Sequence, residues 1–139
     1  MFLNEREKSG HVSRWRELRS CPADAGAGSP DPAIFSLTDA LNDLEGVCTV
    51  QSCAGHIRAG TIYTAHVWLR VSRSVLQSML QSASKVVQHD EIEELAVRYG
   101  REKTGPIIEI MFAGDERGCL ARSSSIVLQY VREATGTMT

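Results

Sequence analysis

The sequence predicts an α+β fold, a two-layer sandwich in which helices cover one face of a roughly four-stranded, mixed or antiparallel sheet. Three observations predict it. Residues 47–52, 63–71 and 95–99 alternate or are β-branched, as half-buried strands are. Residues 107–112 form a short, strongly apolar run that suits the middle of a sheet. Segments with apolar residues at helical spacing lie between and around these runs, in a loose strand, strand, helix recurrence. With 139 residues, 42% of them hydrophobic, the chain is sized for one domain with one ordinary core.

Each element has its own reason. Residues 1–20 are crowded with Arg6, Lys8, Arg14, Arg16 and Arg19 against Glu5, Glu7 and Glu17, a locally basic arm able to form a short helix carrying Trp15. Residues 21–32 hold three of the four prolines among small residues and read as a linker. The division expected is therefore a charged N-terminal arm and linker over 1–32, then a single α+β domain over 33–139 whose core begins near Ala33. Ile34, Leu37, Leu41 and Leu44 recur at helical spacing, Ser36 and Asp39 have capping-box spacing, and Gly46 supplies a stop. The first strand then delivers the chain into a loop over 53–60. In the next strand Ala65, Val67, Leu69 and Val71 face one way, and Thr64, His66, Trp68 and Arg70 the other. Ser72 or Ser74 caps a helix running to about Val87 with Val75, Met79, Leu80, Ala83 and Val87 as its stripe. The start of the third strand, near Asp90 and Glu91, is equally compatible with continued helix. Residues 114–118 read as a turn, and a last helix from about Leu120 to Ala134 buries Leu120, Ile126, Val127, Tyr130 and Val131.

A net charge of −2 makes no global demand for nucleic acid or an anionic membrane. No apolar run approaches a membrane span, and the first seven residues turn charged before a signal-peptide core forms. Cys21, Cys48, Cys53 and Cys119 follow no disulfide framework and read as thiols, so the expected location is the cytoplasm.

Chemistry concentrates at Ser52-Cys53-Ala54-Gly55-His56, where a hydroxyl, a thiol and an imidazole surround a glycine that permits a tight turn able to aim amide hydrogens at an anion. His66, Trp68 and Arg70 on the next strand add a donor, a stacking surface and a phosphate-matching fork. Together they outline a nucleotide-sized pocket; a plain glycine turn beside a solvated strand face is the alternative. Cys53-x-x-His56 has ligand-like spacing, but a second pair is missing and no metal is expected. A Cys53 nucleophile activated by His56 or His66 lacks an acidic orienter, so no catalytic residue is assigned. Arg122, before Ser123-Ser124-Ser125, opens the last helix where free amides suit a phosphate, although simple capping explains the serines equally well. Arg14, Trp15 and Arg16 suggest a weaker nucleic-acid contact through charge and stacking.

In order along the chain, Leu41-Asn42, then Thr49-Val50-Gln51-Ser52-Cys53-Ala54-Gly55-His56-Ile57, then Val67-Trp68-Leu69-Arg70-Val71 resembles the wybutosine-synthesis tRNA methyltransferase family, over roughly residues 33–135. Similar Ser-Cys-x-Gly-His loops occur in small phage-type proteins. The family resemblance implies methyl transfer from S-adenosylmethionine to a hypermodified guanosine of tRNA, with Ser52, Cys53 and Gly55 in the motif loop and Trp68 on the second strand. His56 stands where the family has Arg, and the chain stops before a further stretch that family members carry. A pocket loop with part of its frame missing is expected to bind a nucleotide rather than transform it.

The leading expectation is thus a non-catalytic protein that captures a nucleotide-like molecule without a cofactor, in the manner of a phage-type protein sequestering a cyclic nucleotide signal. Its site would be Ser52, Cys53, Gly55, His56, His66, Trp68, Arg70 and Arg122, and it is open to homo-oligomerisation. The alternatives are the methyltransferase, which needs S-adenosylmethionine and tRNA, and a structural or interaction domain whose polar strand face packs on a partner.

Overall fold

The computed structural model describes residues 2–19, 32–99 and 105–136. The linker expected over 21–32, with Cys21, lies outside the described residues except for Pro32. Among the described residues there are five α-helices: α1 (Glu5–Arg19), α2 (Phe35–Asn42), α3 (Arg73–Gln81), α4 (Ala83–Val86) and α5 (Leu120–Ala134). The strands are β1 (Val47–Cys53), β2 (His56–Arg58), β3 (Thr61–Tyr63), β4 (Ala65–Val71), β5 (Ile92–Tyr99) and β6 (Pro106–Phe112). Four of them form the main sheet in the order β1-β4-β6-β5, and every neighbouring pair is antiparallel. The fold is the α+β architecture the sequence predicts, with an antiparallel rather than mixed sheet.

The core lies between this sheet and the layer of α2, α3, α4 and α5. Val67, Leu69, Ile108, Ile110 and Phe112 from the sheet and Leu41, Val127 and Val131 from the helices are fully enclosed there. Each such side chain contributes about 1.5–3 kcal/mol through removal from water. β6 occupies an inner position because nearly all its residues are apolar, so it tolerates a neighbour on each side. Asn42, at the end of α2, ties helix to sheet. Its Oδ1 accepts from the Thr49 amide at 2.8 Å, and its Nδ2 donates to Thr49 Oγ1 at 3.0 Å.

Several elements differ from expectation for identifiable reasons. Ser36 lies inside α2, whose N-cap is Ile34 without a side-chain cap, because the 3-10 turn Pro32–Ile34 starts the helix in place of a capping box. The loop expected over 53–60 holds a hairpin, β2 and β3, turned by Ala59 and Gly60, both with positive φ. Positive φ at both central residues is what a type I′ hairpin turn requires, and an Ala at the first position hides that signal. Thr64 separates β3 from β4, so the long second strand is two. Ser72 caps α3, accepting from the Val75 amide at 3.4 Å, but the helix stops at Gln81, and Ser82 divides it from α4.

The largest difference concerns the N-terminal arm. Residues 2–19 belong to the folded body, so the core does not begin near Ala33. Leu3 and Trp15 are buried, and the Leu3 amide donates to the Val71 carbonyl at 3.0 Å. Lys8 Nζ donates to the Leu44 carbonyl. Trp15 packs edge-on against Phe35, ring centroids 5.3 Å apart, and donates from Nε1 to Asp39 at 3.0 Å. Glu7 takes two bonds from Arg70, from Nε at 2.8 Å and from Nη2 at 3.0 Å. α1 thus packs along β1, reaching Arg70 on the sheet face away from the helix layer and α2 at its other end.

That ion pair sets a stability expectation. Hydrogen bonding to Arg70 holds the Glu7 carboxyl below its ordinary value of 4.5. A lowered folded-state pKa contributes stability that is present above the unfolded value and lost as pH falls through the folded value. Glu7→Gln is expected to lose about 1–3 kcal/mol at neutral pH, because the buried Arg70 keeps its charge and loses its anion. Denaturant unfolding across the acid range should show the wild type converging on the variant below pH 4.5.

Candidate functional site

Along β4 the side chains of Val67, Leu69 and Val71 enter the core, so those of His66, Trp68 and Arg70 project from the opposite face. Residues directly opposite one another on paired strands share a face. Cys53 on β1 and Met111 on β6 therefore flank His66, and Gln51 and Glu109 flank Trp68. Ser52 is opposite Val67 and so belongs to the helix side, away from Cys53.

Trp68 is the centre of this face. It is half-buried, and its Nε1 donates to Oε2 of the buried Glu109. Glu109 Oε1 accepts from Arg98 Nη2 at 2.7 Å and Nε at 3.2 Å, with the Arg98 guanidinium 6.0 Å from the indole centroid. A carboxylate with this little exposure needs such partners, and the three side chains hold one another in place. His66 lies beside the indole, centroids 6.0 Å apart at 41°, with Nδ1 3.4 Å from the Thr64 carbonyl. Its other nitrogen, Nε2, is buried and has no hydrogen-bond partner among the described residues.

At the end of β1 the chain turns through Ala54 and Gly55. The Ala54 carbonyl accepts from the Asp115 amide at 2.8 Å, which docks the 3-10 turn Asp115–Arg117 onto this loop. Gly55 has φ +84, and a methyl group built there would overlap Glu116 Oε2 and sit 3.1 Å from the Ala65 nitrogen. Two independent requirements thus select glycine: backbone conformation and room for a carboxylate. Glu116 Oε1 accepts from the Gly114 amide at 3.2 Å, while Oε2 is buried without a partner among the described residues. The Gly55 amide donates to Cys53 Sγ at 3.4 Å, and that sulfur lies 3.9 Å from His56 Nδ1. His56 stacks on Tyr63 at 4.8 Å and 25° across the hairpin.

The predicted site is therefore only partly assembled. Cys53, His66 and Trp68 share one face, with Gly55 and His56 in the adjoining loop and hairpin. Arg70 does not join them as a phosphate fork. It is 3% exposed, with its guanidinium given to Glu7 and, through Nη1, to the Pro106 carbonyl at 2.9 Å. The loop is also unsuited to a second anion, since the Glu116 carboxylate already packs against Gly55 and like charges repel strongly where water is scarce. Arg122 stands apart on α5, largely exposed and paired with Glu91 at 2.6 Å. Arg14 and Arg16 are exposed on α1, but Trp15 between them is buried, so the three do not form a stacking grip. Cys53 and His56 belong to no group of three potential metal ligands among the described residues.

Sequence reasoning missed Glu109, Arg98 and Glu116. A lone carboxylate within the apolar strand at 107–112 was a readable signal for Glu109. Nothing local marks Arg98 or Glu116, whose roles depend on β5 and the 3-10 turn being folded against the rest.

No protein-family model and no curated protein matches this sequence. A solved structure, that of the PH1069 protein from Pyrococcus horikoshii, is similar over 96% of this chain and 92% of that one, with 14% identity and a TM-score of 0.48. No helix among the described residues is long and apolar enough to cross a membrane.

Two outcomes check this description. Gly55→Ala should cost about 1–3 kcal/mol in denaturant unfolding, from positive φ and the displaced Glu116 side chain. Adding Glu116→Ala should recover the overlap component and leave the conformational one. Burial pushes the Cys48 thiol up to about 12, so timed alkylation at pH 8 read by peptide mass spectrometry should label Cys53 and Cys119 well before Cys48.

Proposed function

We propose that this protein is a non-catalytic, cytoplasmic binding protein that captures a nucleotide-like small molecule on the open face of the sheet. The observation that carries this reading is the buried Nε2 of His66, without a hydrogen-bond partner among the described residues, beside the half-buried indole of Trp68. An unsatisfied buried polar atom costs about 1–3 kcal/mol, and a hydrogen bond from a ligand, formed once the atoms that cover Nε2 move aside, would remove that cost. The indole supplies a flat surface for a heterocyclic ring, and Glu109 and Arg98 fix its orientation. With Arg70 committed to Glu7, recognition rests on the ring system more than on phosphate. A role in sequestering a cyclic nucleotide signal agrees with this economy: a ring clamp needs no nucleophile and no bond is made or broken.

The test is a thermal-shift screen of cyclic nucleotides, nucleosides and S-adenosylmethionine, with recovery of the ligand by mass spectrometry. A cyclic nucleotide present at a hundred times its Kd should stabilise by about 2.7 kcal/mol, or roughly 8 °C for a domain of this size, and be recovered unchanged. His66→Ala and Trp68→Ala should each remove the shift while retaining the far-ultraviolet circular dichroism of the wild type. Stabilisation by S-adenosylmethionine alone would overturn sequestration in favour of the methyltransferase alternative, and silence from every compound would leave an interaction domain.

A further inference from the structure

The two edges of the main sheet are treated differently. β1 lies under α1, whereas β5 pairs with β6 and with no other strand among the described residues. An edge strand exposes a row of N–H and C=O groups that can pair with another chain. On β5, Leu95 and Val97 are opposite Ile110 and Ile108 and so lie on the helix side, where they pack on the core yet stay only half-buried. Glu94, Ala96 and Arg98 alternate on the other face, opposite Met111, Glu109 and Ile107.

We propose that a second copy of this chain adds antiparallel along β5, with the two-fold axis at Ala96, so that the two four-stranded sheets continue as one. Charge selects the register. With Ala96 facing its own counterpart, Glu94 is opposite Arg98 of the second copy, twice by symmetry, and Leu95 is opposite Val97. Side chains so placed have Cβ atoms about 4.5–5.5 Å apart. An axis at Leu95 or Val97 leaves a charge facing Ala96, and an axis at Glu94 or Arg98 sets like charges against each other. Arg98 commits Nε and Nη2 to Glu109, and its side chain is 58% exposed, so Nη1 remains to reach a second carboxylate. Glu94 is exposed. Ala96 is small enough to sit on the axis, and the half-buried Leu95 and Val97 would complete their burial against the partner's Val97 and Leu95. This is an isologous contact, the commonest kind in homodimers.

Sedimentation velocity of the full chain over a concentration series tests the proposal, together with two kinds of variant. The wild type should dimerise, and Glu94→Arg should weaken the dimer by about tenfold or more, since two opposite-charge pairs become two like-charge pairs. Ala96→Cys should form an intermolecular disulfide under mild oxidation beyond any formed by the native thiols, because residues directly opposite in an antiparallel pair fall within disulfide reach. Val97→Cys, which faces Leu95 instead of itself, should not. A wild type that stays monomeric to about 0.1 mM overturns the proposal, since Glu94 and Arg98 then serve only to guard the edge. So does a dimer indifferent to Glu94→Arg, or an Ala96→Cys protein that cross-links no more than wild type. None of these readouts depends on ligand binding.

Discussion

Arg70 stands on a strand whose alternate residues are core, and its guanidinium is almost wholly enclosed. A buried cation persists only when anions and carbonyls surround it closely, and here Glu7 and the Pro106 carbonyl do so. This requirement shapes the molecule beyond one ion pair. To bring Glu7 within reach, α1 packs along β1, where Cys48 is buried, while its far end sets the buried Trp15 against Phe35. Docking α1 there covers the Arg70 end of the polar face and leaves the His66 and Trp68 end to other partners. It also packs on the β1 side of the sheet, while β5 has no further strand beside it among the described residues. The Arg70–Glu7 pair thus ties α1 to the sheet at the end of β4 away from His66.

A second constraint operates at the loop. Gly55 looks in sequence like a device for wrapping amides around an anion, but its missing side chain makes room for Glu116, and its own amide is turned to Cys53 Sγ. The acid is carried by the segment joining β6 to α5, and the Asp115 amide bonded to Ala54 holds it there. A glycine-containing turn after a strand is therefore ambiguous: the same absence of a Cβ admits a ligand or a neighbouring side chain, and only the folded partner decides which.

Much of the fold was legible because it is encoded in local periodicity. β1, β4, β6 and α5 are found close to where alternation and helical spacing put them, since each buries one face against the same core. What was not legible depended on contacts distant in sequence. The charged residues of α1 resemble a solvated arm until Arg70, 63 positions away from Glu7, is folded beside them. Trp15 resembles a stacking residue until Phe35 and Asp39 enclose it. The β2–β3 hairpin was hidden by an Ala at a position with φ +50, where glycine or asparagine would have announced it. For the candidate site, His66, Trp68 and Cys53 were visible as one strand face and its neighbour, whereas Arg70 could not be separated from them by alternation alone. Its parity is right, but the face is covered at that end.

The same geometry bears on the choice between binding and chemistry. Group transfer needs a nucleophile or base held close to a reacting atom, with donors placed where charge develops. Around Trp68 the polar groups instead satisfy one another: the indole N–H and the guanidinium both converge on Glu109. Cys53 and His56 meet only at 3.9 Å, with the imidazole engaged in stacking on Tyr63. A rigid aromatic surface backed by a closed network loses little conformational entropy when a flat ligand settles on it. On the proposed binding reading, such preorganisation would favour affinity for a ground-state molecule, whereas catalysis requires complementarity to charge that appears only in a transition state.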